Sequence, residues 1–189
     1  MTQRKNFDRC YKLHAACAVK ETQPELAYIS FRQGYAYACN GELAVKGLLK
    51  HISTFNEEEL AILEGKSIHM DNFRRLLNYN VANITPRGFE VNENGKRLLI
   101  YFNEQQEICF GEEVDDILLK CCITNNIVSA HRVGFRASQM RIASQVMGTD
   151  AMKAEFFDQG DGNLCTYIVQ LPVKAYIGVL IFHDLLCSD

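Results

Sequence analysis

The apolar and polar positions along the chain change period several times. Between residues 3 and 19 the pattern is helical. Phe7, Cys10, Tyr11, His14 and Ala18 fall on one side of a 3.6-residue wheel, and Lys5, Arg9 and Lys12 gather within about 60° on the other. A second helix is predicted after Asp71, a good N-cap, over NFRRLLNYN. Phe73, Leu76 and Leu77 form its apolar stripe, while Arg74 and Arg75 point away. A third is predicted over RASQMRIASQVMG, closed by Gly148. Met140, Ala143 and Met147 face inward there, Arg141 and Gln145 face out, Arg136 stands at the start, and Ile142 falls on the polar side.

After each helix the sequence reads as strands broken by turn residues: LAYISFRQGYAYACNGELAVKGLL, then NITPRGFEVNENGKRLLIYFNEQQEICFGE, then AMKAEFFDQGDGNLCTYIVQLPVKAYIGVLIF. Asn40–Gly41, Asn94–Gly95 and Asp161–Gly162 mark hairpins, and Asn-Gly signals a two-residue turn with φ > 0 at both central positions. KSIHM and RVGFR read as short strands ahead of the second and third helices. The acidic stretch from Asn56 to Gly65 reads as a short helix or loop, and GEEVDDILLKCCITNNIVSAH as a longer connection with a strand-like middle.

One helix followed by three strands thus repeats, with helix starts about 66 residues apart. Strands that outnumber helices this way must pair mainly through hairpins. The predicted class is α+β, with the helices on one face of an antiparallel sheet. Residues 1–112 are expected to form a domain of two helix-and-strand units, with 113–189 a third unit packed on it.

Composition adds little to that picture. The 189 residues are 48% hydrophobic and 23% charged, ordinary for a globular chain with a substantial core. No apolar run is long enough to span a membrane, and no apolar segment of a secretory signal follows MTQRKNFDRC, so an intracellular, cytoplasmic protein is expected. The eight cysteines (Cys10, Cys17, Cys39, Cys109, Cys121, Cys122, Cys165 and Cys187) include no C-x-x-C pair; buried free thiols are expected, with no structural metal or disulfide. The histidines show no metal spacing, and no P-loop, G-x-G-x-x-G or G-x-S-x-G is present, so no cofactor and no catalytic residue is predicted. DQGDGN lacks the twelfth-position Glu of a calcium loop and reads as a hairpin turn.

Charge changes the picture more. The net charge is −3, yet ten of the 20 basic residues and only two of the 23 acidic ones lie in the windows 3–20, 71–82 and 131–148. Ordinary surface helices mix signs. Helices nearly free of carboxylates suit a surface that meets phosphates, and the alternative is a merely solvated face.

The segment ELAYISFRQGYAYACNGELAVKG resembles the first repeat of the bacterial β clamp, and VGFRASQMRIASQVMGTDAMKAEFFDQGDGNLCTYIVQL resembles a strand–helix–strand–strand unit of the same DNA sliding-clamp family. Asn40 stands where the family's turn carries Asp. The chain has three units where a clamp domain uses two, and it is half as long as a bacterial clamp subunit. The resemblance implies a non-enzymatic DNA clamp that oligomerises with its own kind and holds double-stranded DNA independently of sequence. Replication or repair proteins would be further partners, and no membrane is involved. Carried over by position, Lys5, Arg9, Lys12, Arg74, Arg75, Arg136 and Arg141 would face the DNA. Two other readings stay open: a clamp-fold module that binds protein and no DNA, and a small intracellular enzyme with a dispersed site.

Overall fold

The structure, a computed structural model, describes residues 4–18, 23–103, 111–116, 134–158, 164–170 and 177–183. Three hairpin-linked strands, β1 (Tyr28–Arg32), β2 (Tyr35–Cys39) and β3 (Leu43–Leu48), follow a 3-10 turn at Leu13–Ala16 and another at Pro24–Ala27. Short helices α1 (Leu49–Ile52) and α2 (Glu57–Ile62) lead to β4 (Ser67–His69) and α3 (Met70–Leu76). A second strand triplet comprises β5 (Ala82–Thr85), β6 (Gly88–Glu93) and β7 (Lys96–Tyr101). Residues 111–116 form α4. Then come α5 (Ala137–Met147) and the third triplet, β8 (Met152–Asp158), β9 (Leu164–Gln170) and β10 (Ile177–His183).

The class is α+β, and among the described residues all pairings between these strands are antiparallel. The second triplet forms its own sheet, β5-β6-β7. The first and third, with β4 added at the edge, merge into one of seven strands, in the order β4-β1-β2-β3-β10-β9-β8. The third unit therefore joins the first edge to edge, through β3 and β10.

Register explains the core. Ile29 stands opposite Ile68, Phe31 opposite Ala36, Ala38 opposite Val45, Leu43 opposite Ile181, and Val179 opposite both Val45 and Ile168. Directly opposed residues share a face, so these side chains line one inner surface. Leu13 and Ala16 of the 3-10 turn, Phe73 and Leu76 of α3, and Ala143, Val146 and Met147 of α5 close over it. Phe89, Val91 and Ile100 bring the smaller sheet into the same cluster. Phe7 joins the pieces: its ring lies 5.0 to 6.0 Å from those of Phe31, Phe55, Phe73 and Phe89.

Three expectations need correction. The first predicted helix does not form: Lys5 bridges Val81, Phe7 bridges Ser53, Tyr11 N–H closes a turn onto the Asp8 carbonyl, and Leu13–Ala16 coil as a 3-10 turn. Neighbours claim its backbone. Lys5 N–H donates to the Asn80 carbonyl, Asp8 N–H to that of Ile52, and the Lys5 carbonyl accepts from Ala82. Secondly, α3, α5 and the turn share the inner face as predicted, but α4 covers the outer one, where Val114 packs with Tyr37 and Ala44. Thirdly, Asn40 is not a central turn residue. Cys39 pairs with Ala44, so Gly41 and Glu42 occupy the turn's centre, and Gly41 (φ 87°) has positive φ. The Asn40 Oδ1 accepts from Glu42 and Leu43 N–H groups, both at 2.9 Å.

The second Asn-Gly matches its expectation, with φ 53° at Asn94 and 81° at Gly95 between paired Glu93 and Lys96. The acidic stretch becomes α2, capped by Asn56, whose side chain accepts from Glu59 N–H. KSIHM contains β4. Of RVGFR, residues 134–136 carry no strand, while 132–133 lie outside the described residues, as does the turn at Asp161–Gly162. Gly148 ends α5 as predicted, with φ 63°. A Cβ there would lie 2.8 Å from the Cys10 carbonyl oxygen, so backbone conformation and close approach both call for glycine.

Candidate nucleic-acid interface

The predicted basic residues divide according to their partners. The non-helical segment through Arg9 and Lys12 runs between α3 and α5 and is tied to both. Arg9 Nε donates to the Leu77 carbonyl at 2.8 Å, and its terminal nitrogen donates to the Asn78 carbonyl (2.9 Å) and to Asn80 Oδ1 (3.0 Å). These bonds satisfy carbonyls past the C-terminal end of α3 while leaving the guanidinium charge intact. Buried Asn6 does the same from beneath, donating to the carbonyls of Leu76 and Tyr79. On the α5 side, Lys12 N–H donates to the Gln145 carbonyl at 3.2 Å.

Arg141 lies one turn before Gln145, and both are exposed. Arg74, likewise exposed, projects from α3. His14 sits between these elements. Burial, then the charges of Arg74 and Lys12, hold its pKa below the ordinary histidine range, so the ring is neutral at pH 7. Its Nδ1 is buried without a hydrogen-bond partner, where a bonded core histidine would be expected.

Four of the seven cations are matched by carboxylates. Lys5 pairs with Glu59 of α2, Arg74 with Asp71 at 3.0 Å, Arg75 with Glu93 at 3.2 Å, and Arg136 with Glu42 at 2.7 Å. The Arg74–Asp71 pair is exposed on both sides and holds Arg74 weakly. Arg9, Lys12 and Arg141 make no ion pair among the described residues. The sequence reading passed over Arg4, whose guanidinium donates to the Phe7 carbonyl. Burial, and next the charge of Arg9, lower its pKa, which marks a second guanidinium close to that of Arg9. The wheel gave no sign of this because the segment is not helical.

This arrangement leaves Arg9, Lys12 and Arg141 without an ion pair among the described residues, with Arg9 held by three hydrogen bonds. Unpaired cations of this kind suit phosphates, which carry no sequence information. Among the described residues no group of three His, Cys, Asp or Glu side chains could hold a metal. The described thiols span a range: Cys10 is exposed, Cys165 is buried, and Cys17 is pushed up to about 12 by burial and then by Cys39. The exposed Cys10 departs from the expected buried set. No described helix is long and apolar enough to cross a membrane. The chain matches no family model, and neither curated proteins nor solved structures give a significant match.

Proposed function

We propose that the protein is a non-enzymatic, sliding-clamp-like subunit. It would oligomerise and hold duplex DNA, without regard to sequence, through the solvent face of α3, the 13–16 turn and α5. One observation carries this reading: these segments cover one face of a continuous antiparallel sheet, and Arg9, Lys12 and Arg141 meet no carboxylate among the described residues. A cytoplasmic location and replication or repair partners go with it.

The test is a salt series on unrelated duplexes. Binding should be weak, equal for every sequence and steeply salt-dependent. Lys12→Ala with Arg141→Ala should weaken all duplexes alike and flatten the slope of log K against log salt by about 2. The fold should be kept, since exposed charges typically shift stability by about 0.5 kcal/mol or less each. Glu57→Gln with Glu58→Gln on α2 is the control. No binding at about 50 mM salt, or a double variant that binds like wild type, overturns the reading. Light scattering tests the oligomer.

A second reading, a clamp-fold module that binds protein alone, is favoured by the pairing of Lys5, Arg74, Arg75 and Arg136, which lowers the field over the layer. Absence of salt-dependent DNA binding would select it.

A further inference from the structure

The corner where the two sheets meet holds an open cavity of about 430 Å³, lined by Tyr28, His69, Asn72, Arg87, Tyr101 and Asn103 around buried Phe102. It arises because the chain leaves β7 at Tyr101 and crosses to the edge of the larger sheet. Phe102 N–H donates to the Arg87 carbonyl at 3.0 Å, and Asn103 N–H donates to the Ser67 carbonyl of β4 at 2.8 Å. Backbone bridges the gap between the sheets, and side chains are left to line it.

Those side chains share a chemistry. Tyr101 is 49% exposed, the one large hydrophobic side chain so open among the described residues. The Arg87 guanidinium lies 5.7 Å over its ring and meets no carboxylate among those residues. His69 Nδ1 accepts from Asp71 N–H at 3.3 Å, and the ring stands edge-on to Tyr28 at 5.3 Å. The Asp71 carboxylate, 3.7 Å from that Nδ1, is engaged by Arg74. Asn72 offers an amide that both donates and accepts.

We infer that this cavity binds a nucleoside monophosphate moiety, its base against the Tyr101 ring and its phosphate on Arg87. An open aromatic face suits base stacking, which tolerates any base. The arginine fork matches phosphate oxygens in pairs, and an amide beside it can meet a base edge. A purely apolar ligand would leave Arg87 and Asn72 unmet, and a cation would be repelled. The volume lies in the range of small-molecule sites. The moiety can be a free nucleotide or one nucleotide of a single strand. The site shares α3 with the proposed duplex-binding layer, through Asn72, but uses none of that layer's unpaired cations.

The experiment is calorimetric titration of the full chain with dAMP, with inorganic phosphate, and with a 5′-phosphorylated single-stranded oligothymidylate. Saturable dAMP binding is expected, tighter than phosphate. Arg87→Ala and Tyr101→Ala should each weaken it about tenfold or more, and Tyr101→Phe should bind like wild type. Both sites are exposed, so circular dichroism should show unchanged folding. Binding of dAMP without the oligonucleotide identifies a free nucleotide as the ligand, and equal or tighter oligonucleotide binding identifies a strand. Lys12→Ala with Arg141→Ala should leave dAMP binding unchanged, which separates this site from the duplex reading. No saturable dAMP binding at several millimolar, phosphate binding as tight as dAMP, or Arg87 and Tyr101 variants that bind like wild type would each overturn the inference.

Discussion

On the inner face of the seven-stranded sheet, Phe7 meets four other aromatic rings, and β1, β2, β3, β9 and β10 add aliphatic side chains around them. On the outer face the same β2 and β3 present Tyr37 and Lys46 to a single carboxylate, Asp115 of α4. The Tyr37 hydroxyl donates to it at 2.7 Å, Lys46 pairs with it, and Lys46 Nζ also lies 4.2 Å from the centre of the Tyr35 ring. Arg32 pairs with Glu112 on the same helix. The first surface is held by burial, which has no direction and tolerates replacement by similar volume. The second depends on polar partners: removing Asp115 takes the acceptor from the buried Tyr37 hydroxyl and from half-buried Lys46.

The sharpest way to break this contrast is Phe7→Ala. A buried ring shared by both sheets should cost about 3–5 kcal/mol in urea unfolding, while Phe7→Leu should cost far less. An equal loss from both would mean that ring geometry, and not volume, holds the inner face. Next in size comes Asp115→Ala, which strips Tyr37 and Lys46 of their shared acceptor at an expected cost of about 1–3 kcal/mol. Hydrogen exchange should speed up over residues 111–116 and stay slow in β3 and β10. Uniformly faster exchange would show that the two faces unfold together.

The smallest effect is expected from Tyr37→Phe, at about 1 kcal/mol. Burial, then the hydrogen bond and charge of Asp115, raise the Tyr37 pKa far above the usual tyrosine range. A raised folded pKa stabilises the fold fully below the unfolded value near 10, and that stability is lost as pH climbs beyond it. Wild type should therefore lose stability more steeply above about pH 10 than Tyr37→Phe. Parallel profiles would remove Tyr37 from the account.

Where a stretch makes its structure from its own residues, the sequence was readable. Phe73, Leu76 and Leu77 are buried as their spacing predicts, as are Ala143 and Met147, and Asn94–Gly95 builds the turn that its residues favour. Ile142, placed on the polar side, still packs against the core. The N-terminal segment misled because its helical spacing is incidental: Phe7 is buried, but Cys10, on the same predicted side, is exposed. Its backbone satisfies residues near 52 and 80, partners that no local pattern reveals. The candidate interface was legible as residue types and as two helices. Which charges are cancelled was not, since Glu59, Glu93 and Glu42 reach Lys5, Arg75 and Arg136 from separate elements. The cavity at Arg87 and Tyr101 left no sequence signal, because its lining comes from β1, β4, α3 and both ends of the β6–β7 hairpin.

The pairing of β3 with β10 sets a timetable for synthesis. Leu43 leaves the ribosome long before its partner Ile181, at a rate of about 5–20 residues per second. For on the order of ten seconds, β4, β1, β2 and β3 exist as a partial sheet whose β3 edge has nothing to pair with. Until β8, β9 and β10 arrive, that edge is open to any extended chain nearby, including a neighbouring nascent copy. A chain that stalls ahead of β10 should therefore aggregate through β3, although every residue of its first two units has already been made.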